Sequence, residues 1–549
     1  MPITQNKKTQ NAKLKTHYLL LTIIFLSSFF FIVRLCHAFV NEDIGINTKA
    51  MSLGNSVTAY TPGIMPMHYN PAGLTSIKGK TCTIGAAYPF INIDSNFLHP
   101  PADDIWVFID DIPGERATTD TGSMYIPVIG NASTYVAING GITFHAPGSK
   151  WYFGYGMYTP FGMGYSTGSS DPTRFGVKTS YNQRWIYAAP AVACRVSKTF
   201  SLGASIGLGQ GGRGLSFDYR SSIFGLKYYK RALENINAIF DFVEDPGAAV
   251  GEYVEGWFDF YLNILSLEPP VFHEFMDMEI RDMTDSLTTS FNIGMLWEPV
   301  DWITLGLCYR SKSEANMEGD YNIKYSDAFK ALMQELYLPP TSIWVGIPYP
   351  PVNSQRGTVT QEWTWPRSVQ VGIMVQPSEK LKLMCDLHWT DWSEVSDESF
   401  EFDQDIQILQ FFNFFGPQRI SDKFILKRKW KDTYNYSFGV EYNLSDRFSL
   451  RFGYEDRESS VDEKYFDLMW PVQDMKVYSC GAGIAVNEKT SVDLGFSWML
   501  GDKLTIRNNT GKMINSAVQE VFTYAPYGGI DYEQETSIYL FSININRSW

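Results

Sequence analysis

The sequence predicts an all-β protein: a 14-stranded antiparallel transmembrane β-barrel with helical insertions in its extracellular loops. Three observations carry this. Apolar and polar residues alternate with a period of two over many segments, short polar breaks join those segments in pairs, and aromatics make up 15% of the 549 residues, with 44 glycines beside them. Period-two alternation builds strands with one apolar and one polar face. Tyr and Trp gather where a barrel wall meets the two membrane interfaces. A hydrophobic share of 44% excludes a disordered chain, and a net charge of −14 excludes a nucleic-acid partner held by its phosphates.

Residues 1–38 read as an export signal. The basic stretch Lys7–Lys15 precedes the apolar run Tyr18–Val33, and Cys36-His37-Ala38 offers small residues for cleavage after Ala38. The apolar run is shorter than the roughly 20 residues a membrane helix needs. Beyond it, Cys82, Cys194, Cys308, Cys385 and Cys480 are scattered and form no C-x-x-C pair, so neither a disulfide framework nor a zinc site is expected.

Strands follow from alternation. Tyr434, Tyr436, Phe438, Val440 and Tyr442 alternate with Asn435, Ser437, Gly439 and Glu441. Leu381–Thr390, Phe448–Tyr454 and Ser491–Leu500 repeat the pattern. Aromatics crowd one face while Asp, Glu, Arg and Gly hold the other, which suits lipid outside and a polar lumen inside. Tight turns at Pro147–Lys150, Ser197-Lys198, Pro299–Asp301, Pro377–Glu379, Ser445-Asp446 and Asn487–Lys489 define six hairpins. A strand from about Thr81 and one ending the chain bring the count to fourteen. The last strand puts Tyr539, Phe541, Ile543, Ile545 and Trp549 on one face, and its aromatic end is the kind that barrel assembly machinery reads.

The loop between Gln210 and Thr284 carries helical spacing, with an insertion at about 226–268. Its second run places Trp257, Phe258, Tyr261 and Leu262 on one face, a cap over the mouth or a groove for a greasy ligand. A further helix is expected at Ser326–Leu336. Gly203-Ala204-Ser205-Ile206-Gly207 matches G-x-S-x-G, and Gly207, Gly209 and Gly212 match G-x-G-x-x-G. Both lie in a strand without the helix that a nucleophile elbow or dinucleotide site requires, so neither an enzyme nor a cofactor is expected. Seven histidines show no metal-ligand spacing. Asp386, His388, Glu441, Arg451 and Asp493 fall on lumen faces, where they are expected to form a hydrogen-bonded interior lattice.

Before the first strand stand Ala50–Tyr60 and then His68-Tyr69-Asn70-Pro71-Ala72-Gly73-Leu74. This segment resembles the plug of the FadL/TodX-type outer-membrane transporters of long-chain fatty acids and hydrocarbons. Tyr309-Arg310-Ser311 with Gly319 and Tyr321, Trp389–Ser393, Lys431–Tyr434 and Val492–Gly495 extend the resemblance along the barrel. An acidic pair often found in the plug is replaced here by Tyr60-Thr61-Pro62-Gly63. The resemblance implies a plug at 39–78 built on Gly54, Asn70, Pro71, Ala72 and Gly73, inside a barrel spanning 79–549. A barrel of fourteen strands leaks unless filled. Within the third strand, Pro160 cannot donate a ladder hydrogen bond, so Pro160, Phe161 and Gly162 mark a kink. The resemblance implies that this kink turns inward and opens the wall sideways. Arg213 is expected just beyond the fifth strand, either solvated or meeting a carboxylate.

The resulting expectation is a monomer in the bacterial outer membrane. It passes hydrophobic small molecules, long-chain fatty acids foremost, by plug gating and lateral exit. Its other partners are outer-membrane lipids and the assembly machinery, contacted through Trp549. Hydrocarbon import by the same fold, a general porin and a structural barrel are the alternatives.

Overall fold

A computed structural model describes residues 42–43, 46–61, 63–98, 112, 114–121, 124–126, 130–132, 136–220, 274–336, 350–413, 420–507, 526–527 and 530–549. The export signal and Trp257, Phe258, Tyr261 and Leu262 of the loop insertion lie outside these residues.

Two short helices open the described chain, α1 (Thr48–Ser52) and α2 (Pro66–Tyr69), followed by a 3₁₀ turn at Pro71–Ser76. Asn47 caps α1 by accepting from Lys49 N and Ala50 N, and Asn70 caps the turn by accepting from Ala72 N. The barrel begins with β1 (Lys80–Leu98) and β2 (Ala137–His145, with an outer piece at Arg116–Thr121). Next come β3 (Trp151–Ser166), β4 (Thr179–Arg195), β5 (Phe200–Tyr219) and β6 (Met276–Val300). Several later strands are broken. These are β7 (Ile303–Arg310 and Ser313–Tyr325), β8 (Ser354–Trp365 and Ser368–Ser378), β9 (Leu381–Thr390 and Asp397–Phe402) and β10 (Lys423–Lys427 and Thr433–Ser445). The chain ends with β11 (Phe448–Arg457), β12 (Met475–Ala485), β13 (Thr490–Gly501 and Leu504–Ile506) and β14 (Asp531–Ser548).

Neighbours pair antiparallel throughout, and β1 zips onto β14 from Thr81↔Ser548 to Leu98↔Asp531, so the sheet closes into a 14-stranded barrel. All six expected hairpin turns fall between successive strands. Helix α3 (Asp327–Leu336) stands in the loop where a helix was expected, and α4 (Gln407–Asn413) lies in the β9–β10 loop. No described helix is long and apolar enough to cross a membrane.

The outward large apolar residues form one belt toward the turn end of the barrel. It includes Phe291, Ile293 and Trp297 on β6, Phe452 on β11, and Tyr539, Phe541, Ile543 and Ile545 on β14. The barrel is far taller than that belt. β6 has 25 residues; at a rise of ~3.4 Å and a tilt of ~40° it stands ~65 Å high, against an apolar band of ~25 Å.

The expectation of a polar lumen throughout needs correction. It holds in the membrane belt, where the plug sits. Above it, the interior is an aromatic and methionine core containing Met278, Met283, Met317, Trp363, Trp392, Trp430 and Trp470.

Candidate functional site

The plug fills the lower lumen through direct bonds to wall residues. Thr48 N donates to Asn544 Oδ1 at 2.8 Å, and Thr58 N donates to Asp386 Oδ2 at 2.7 Å. Asn70 Nδ2 donates to Thr58 O at 2.8 Å within the plug and to Met295 O of β6 at 3.0 Å. Glycines of the wall make the room: Gly203 backs onto Pro71 and Ala72, Gly294 onto Asn70, and Gly453 onto Leu53 and Gly54. Gly54 adopts φ +61°, and a Cβ there would lie 2.8 Å from Tyr454 O. Gly73 needs space rather than unusual backbone, because a Cβ would overlap the Thr61 side chain. Ser205, the centre of the G-x-S-x-G match, is buried and donates to Met67 O at 2.7 Å, so it holds the plug.

The lumen residues do not form one lattice. Glu441, Arg451 and Asp493 come together: Arg451 Nε donates to Glu441 Oε2 at 2.8 Å and Arg451 Nη1 to Asp493 Oδ1 at 2.6 Å. Lys49 of the plug joins at 2.8 Å from Glu441, and Lys382 at 3.2 Å. This group borders a polar vestibule of about 870 Å³ at the turn end, lined also by Tyr60, Thr61 and Asn546. Asp386 instead holds the plug backbone, and His388 Nε2 lies 2.9 Å from Arg310 Nη2 in a separate cluster higher up.

Arg213 corrects the sequence reading most sharply. It lies within β5, fully buried, with Nη2 2.8 Å from Glu398 Oε1 and its guanidinium 4.8 Å above the Trp470 ring. Arg428 bonds both Glu398 and Asp467, and Trp470 Nε1 donates to Glu398 at 3.1 Å. Two cations and two anions compensate one another there, so Arg213 is committed to structure. Asp467 and Trp470 belong to the β11–β12 loop, which folds into the outer mouth. Trp470 stacks on Trp363 with centroids 5.3 Å apart.

The β3–β4 ladder is irregular next to Pro160. β3 leaves the lipid face after Met157, and its pairing with β4 shifts register on both sides of Tyr158. Phe161 points inward, 6.5 Å from Trp365 and 6.2 Å from Trp392. Among the described residues, β2 pairs with β3 up to Met157 and again only at Tyr165. In that interval Phe161 pairs with Arg184 on one edge and bridges to Glu42 on the other. Asp43 N donates to Pro160 O at 3.0 Å. The start of the plug segment thus lies along this stretch of the β3 edge.

Behind this seam lies a cavity of about 70 Å³, lined by Glu42, Asp43, Phe161, Arg184, Arg310 and Trp365 among others. Arg310 Nη1 lies 3.1 Å from Asp43 Oδ1, and His68 Nε2 2.6 Å from the same oxygen. Arg310 outweighs burial and holds the Asp43 carboxyl well below the usual range. Burial, with the Asp43 charge beside it, pushes Glu42 up to about 7, while burial draws His68 down to about 4. Arg184 differs. It is buried, its Nη2 donates to Ser290 Oγ at 2.9 Å and its Nε reaches Thr288 Oγ1 at 3.4 Å, and it lies 5.5 Å over Trp365. Among the described residues no carboxylate pairs with it. Sequence reasoning passed over Arg184; a charged residue in mid-strand between Gln183 and Trp185 was its only mark.

A family model described as outer membrane protein transport protein (OMPP1/FadL/TodX) matches residues 34–549. The chain belongs to this family. That places it in the outer membrane, among transport channels rather than enzymes. Curated relatives include the long-chain fatty acid transport proteins of Escherichia coli strain CFT073, 22% identical over 47% of this chain and 49% of the relative, and of E. coli K12, 24% identical over 47% and 48%. The chain thus matches about half the length of these relatives. Among solved structures, a Pseudomonas aeruginosa FadL homologue aligns over 92% of this chain and 99% of its own at TM-score 0.62 and 14% identity. The P. putida toluene transporter TodX aligns over the same shares at TM-score 0.58 and 14% identity. These likenesses concern the fold.

Proposed function

We propose that this protein carries long-chain fatty acids inward across the outer membrane by passive diffusion, with plug gating and lateral exit at the β3 kink. The single observation behind the choice of cargo is Arg184. A buried guanidinium is ordinarily paired, and among the described residues this one has hydroxyl and aromatic contacts and no carboxylate partner, at the edge of a cavity. A cargo carboxylate supplies the missing partner. Trp365, Trp392 and Phe161 around it suit an alkyl chain, whose burial yields ~0.8 kcal/mol per methylene. The kink stands at the top of the lipid-facing belt, so exit there delivers cargo into the membrane. Trp257, Phe258, Tyr261 and Leu262 serve as first contacts outside. The protein acts as a monomer, bounded by outer-membrane lipids, and its final strand ending at Trp549 engages the barrel assembly machinery.

The same aromatic lining suits uncharged hydrocarbons, which is the second reading, and TodX is by its name a toluene transporter. Uptake of labelled oleate and toluene, in a Gram-negative host lacking its own fatty-acid transporter, separates the two. Oleate uptake should depend on the chain and fall about 10-fold or more in Arg184→Gln, the scale of a lost charged hydrogen bond, while any toluene uptake is unchanged. Pro160→Val should lower oleate uptake with the barrel intact. Toluene uptake alone moves the reading to hydrocarbons, and uptake of neither, with folded barrel verified, removes the transporter reading for both.

A further inference from the structure

Among the described residues, the seam between Glu42–Asp43 and the β3 kink is made by Asp43 N donating to Pro160 O and a bridge between Glu42 and Phe161. On the far side Arg457 Nη1 donates to Glu42 O at 3.0 Å and Thr390 Oγ1 to Glu42 Oε2 at 3.3 Å. The Asp43 side chain meets His68 Nε2 at 2.6 Å and occupies Arg310, whose Nη1 and Nη2 lie 3.1–3.4 Å from its two oxygens. Asp43 holds this position at φ +58°, a left-handed conformation unfavourable for a residue with a Cβ. Arg310 is fixed from the wall side by Ser368 Oγ, 3.0 Å from its Nε, and by His388. Arg310 and Arg184 line the same cavity, and its 70 Å³ admits a head group but no long chain while Glu42 and Asp43 remain in place.

We propose that Arg310 is a carboxylate-exchange switch: the cargo's carboxylate displaces Asp43 from Arg310 and thereby frees the Glu42–Asp43 segment from the kink. This rests on the fatty-acid reading above. The exchange replaces one carboxylate by another on the same guanidinium, with Arg184 adding a second cation that only the cargo can use. The buried charge stays paired throughout, while Asp43, once released, relaxes from its left-handed backbone and enters the lumen solvent. A neutral molecule of equal length has nothing to exchange, so the switch distinguishes charged from uncharged cargo.

The test uses the full chain in lipid nanodiscs. Hydrogen exchange at the Asp43 amide is followed by mass spectrometry while binding is measured by calorimetry, with oleate and oleyl alcohol as probes. Saturating oleate should speed exchange at Asp43 at least 10-fold and oleyl alcohol should not. Asp43→Asn, which leaves the barrel strands untouched, should exchange fast without ligand and show no further response; Arg310→Gln should behave alike. Oleate that binds tightly without changing exchange overturns the switch and leaves the fatty-acid reading standing. Equal release by oleyl alcohol also overturns the switch, since chain volume alone would then be the cause. Oleate that binds no more tightly than oleyl alcohol overturns the fatty-acid reading, and the switch with it.

Discussion

The lower and upper halves of this barrel are opposites made from the same strands. In the lower half the outside is apolar and the lumen polar; in the upper half the outside is polar and the lumen apolar. β7 shows the inversion. Thr304, Gly306, Cys308 and Arg310 face the lumen, but beyond the break at residues 311–312 the inward set is Ala315, Met317, Tyr321 and Ile323. β8 switches likewise between Val359, Trp363 and Trp365 above and Ser368, Gln370 and Met374 below. A shift of one residue reverses which side chains face inward. The interruptions in β7 and β8, with the β3 kink opposite, surround the Arg184 cavity. The difference teaches that below this level the wall is built for lipid and packed on a plug, while above it the barrel stands in water with a core of its own.

The largest test of that contrast removes the charge centre of the upper core. Glu398→Ala leaves Arg213 and Arg428 without their shared carboxylate and should destabilise the outer half by ~3–5 kcal/mol, read as a shifted denaturant midpoint. Next, the outside face can be probed on a single strand. Phe291→Arg puts a cation in the lipid belt and should cost ~2–4 kcal/mol, whereas Glu279→Arg above the belt should stay within ~0.5 kcal/mol. Equal costs would refute the two-environment reading. In the lower lumen, Gly453→Val places a side chain where the backbone of Leu53 and Gly54 now lies. It should dislodge the plug and raise single-channel conductance to small ions without unfolding the wall.

The smallest effect is in pH. Glu42 is raised from 4.5 to about 7 when seated. A raised carboxylate favours the seated segment below pH 4.5, and this support is lost as pH rises from 4.5 to 7. Protection of the Asp43 amide, its exchange rate taken relative to the intrinsic rate at each pH, should therefore fall severalfold across that window, and Glu42→Gln should flatten the trend.

Much of the fold was legible because tight turns and period-two alternation are local. Ser445-Asp446 and its flanking strands could be placed without knowing any partner. The upper core was not legible, because alternation shows that a strand has two faces and leaves open which one meets lipid. The Glu398–Arg213 pair joins residues 185 positions apart, and nothing near either names the other. At the site, Pro160 was visible because proline in a closed sheet must break a ladder. Glu42 and Asp43 were not, since their role depends on a β3 edge far along the chain.

The bond from Thr48 N to Asn544 Oδ1 spans 496 positions of the chain. It cannot form until the last strand exists, and the wall glycines that seat the plug are likewise spread over most of the sequence. The earliest part of the protein is thus the last to find its place. Until then it must stay in water without a partner, which suits a segment rich in Ser, Thr, Asn and Gly and short of long aliphatic runs. Slow, long-range closure of this kind exposes unfinished strand edges, so the order of assembly, as much as the finished shape, constrains what residues the plug can contain.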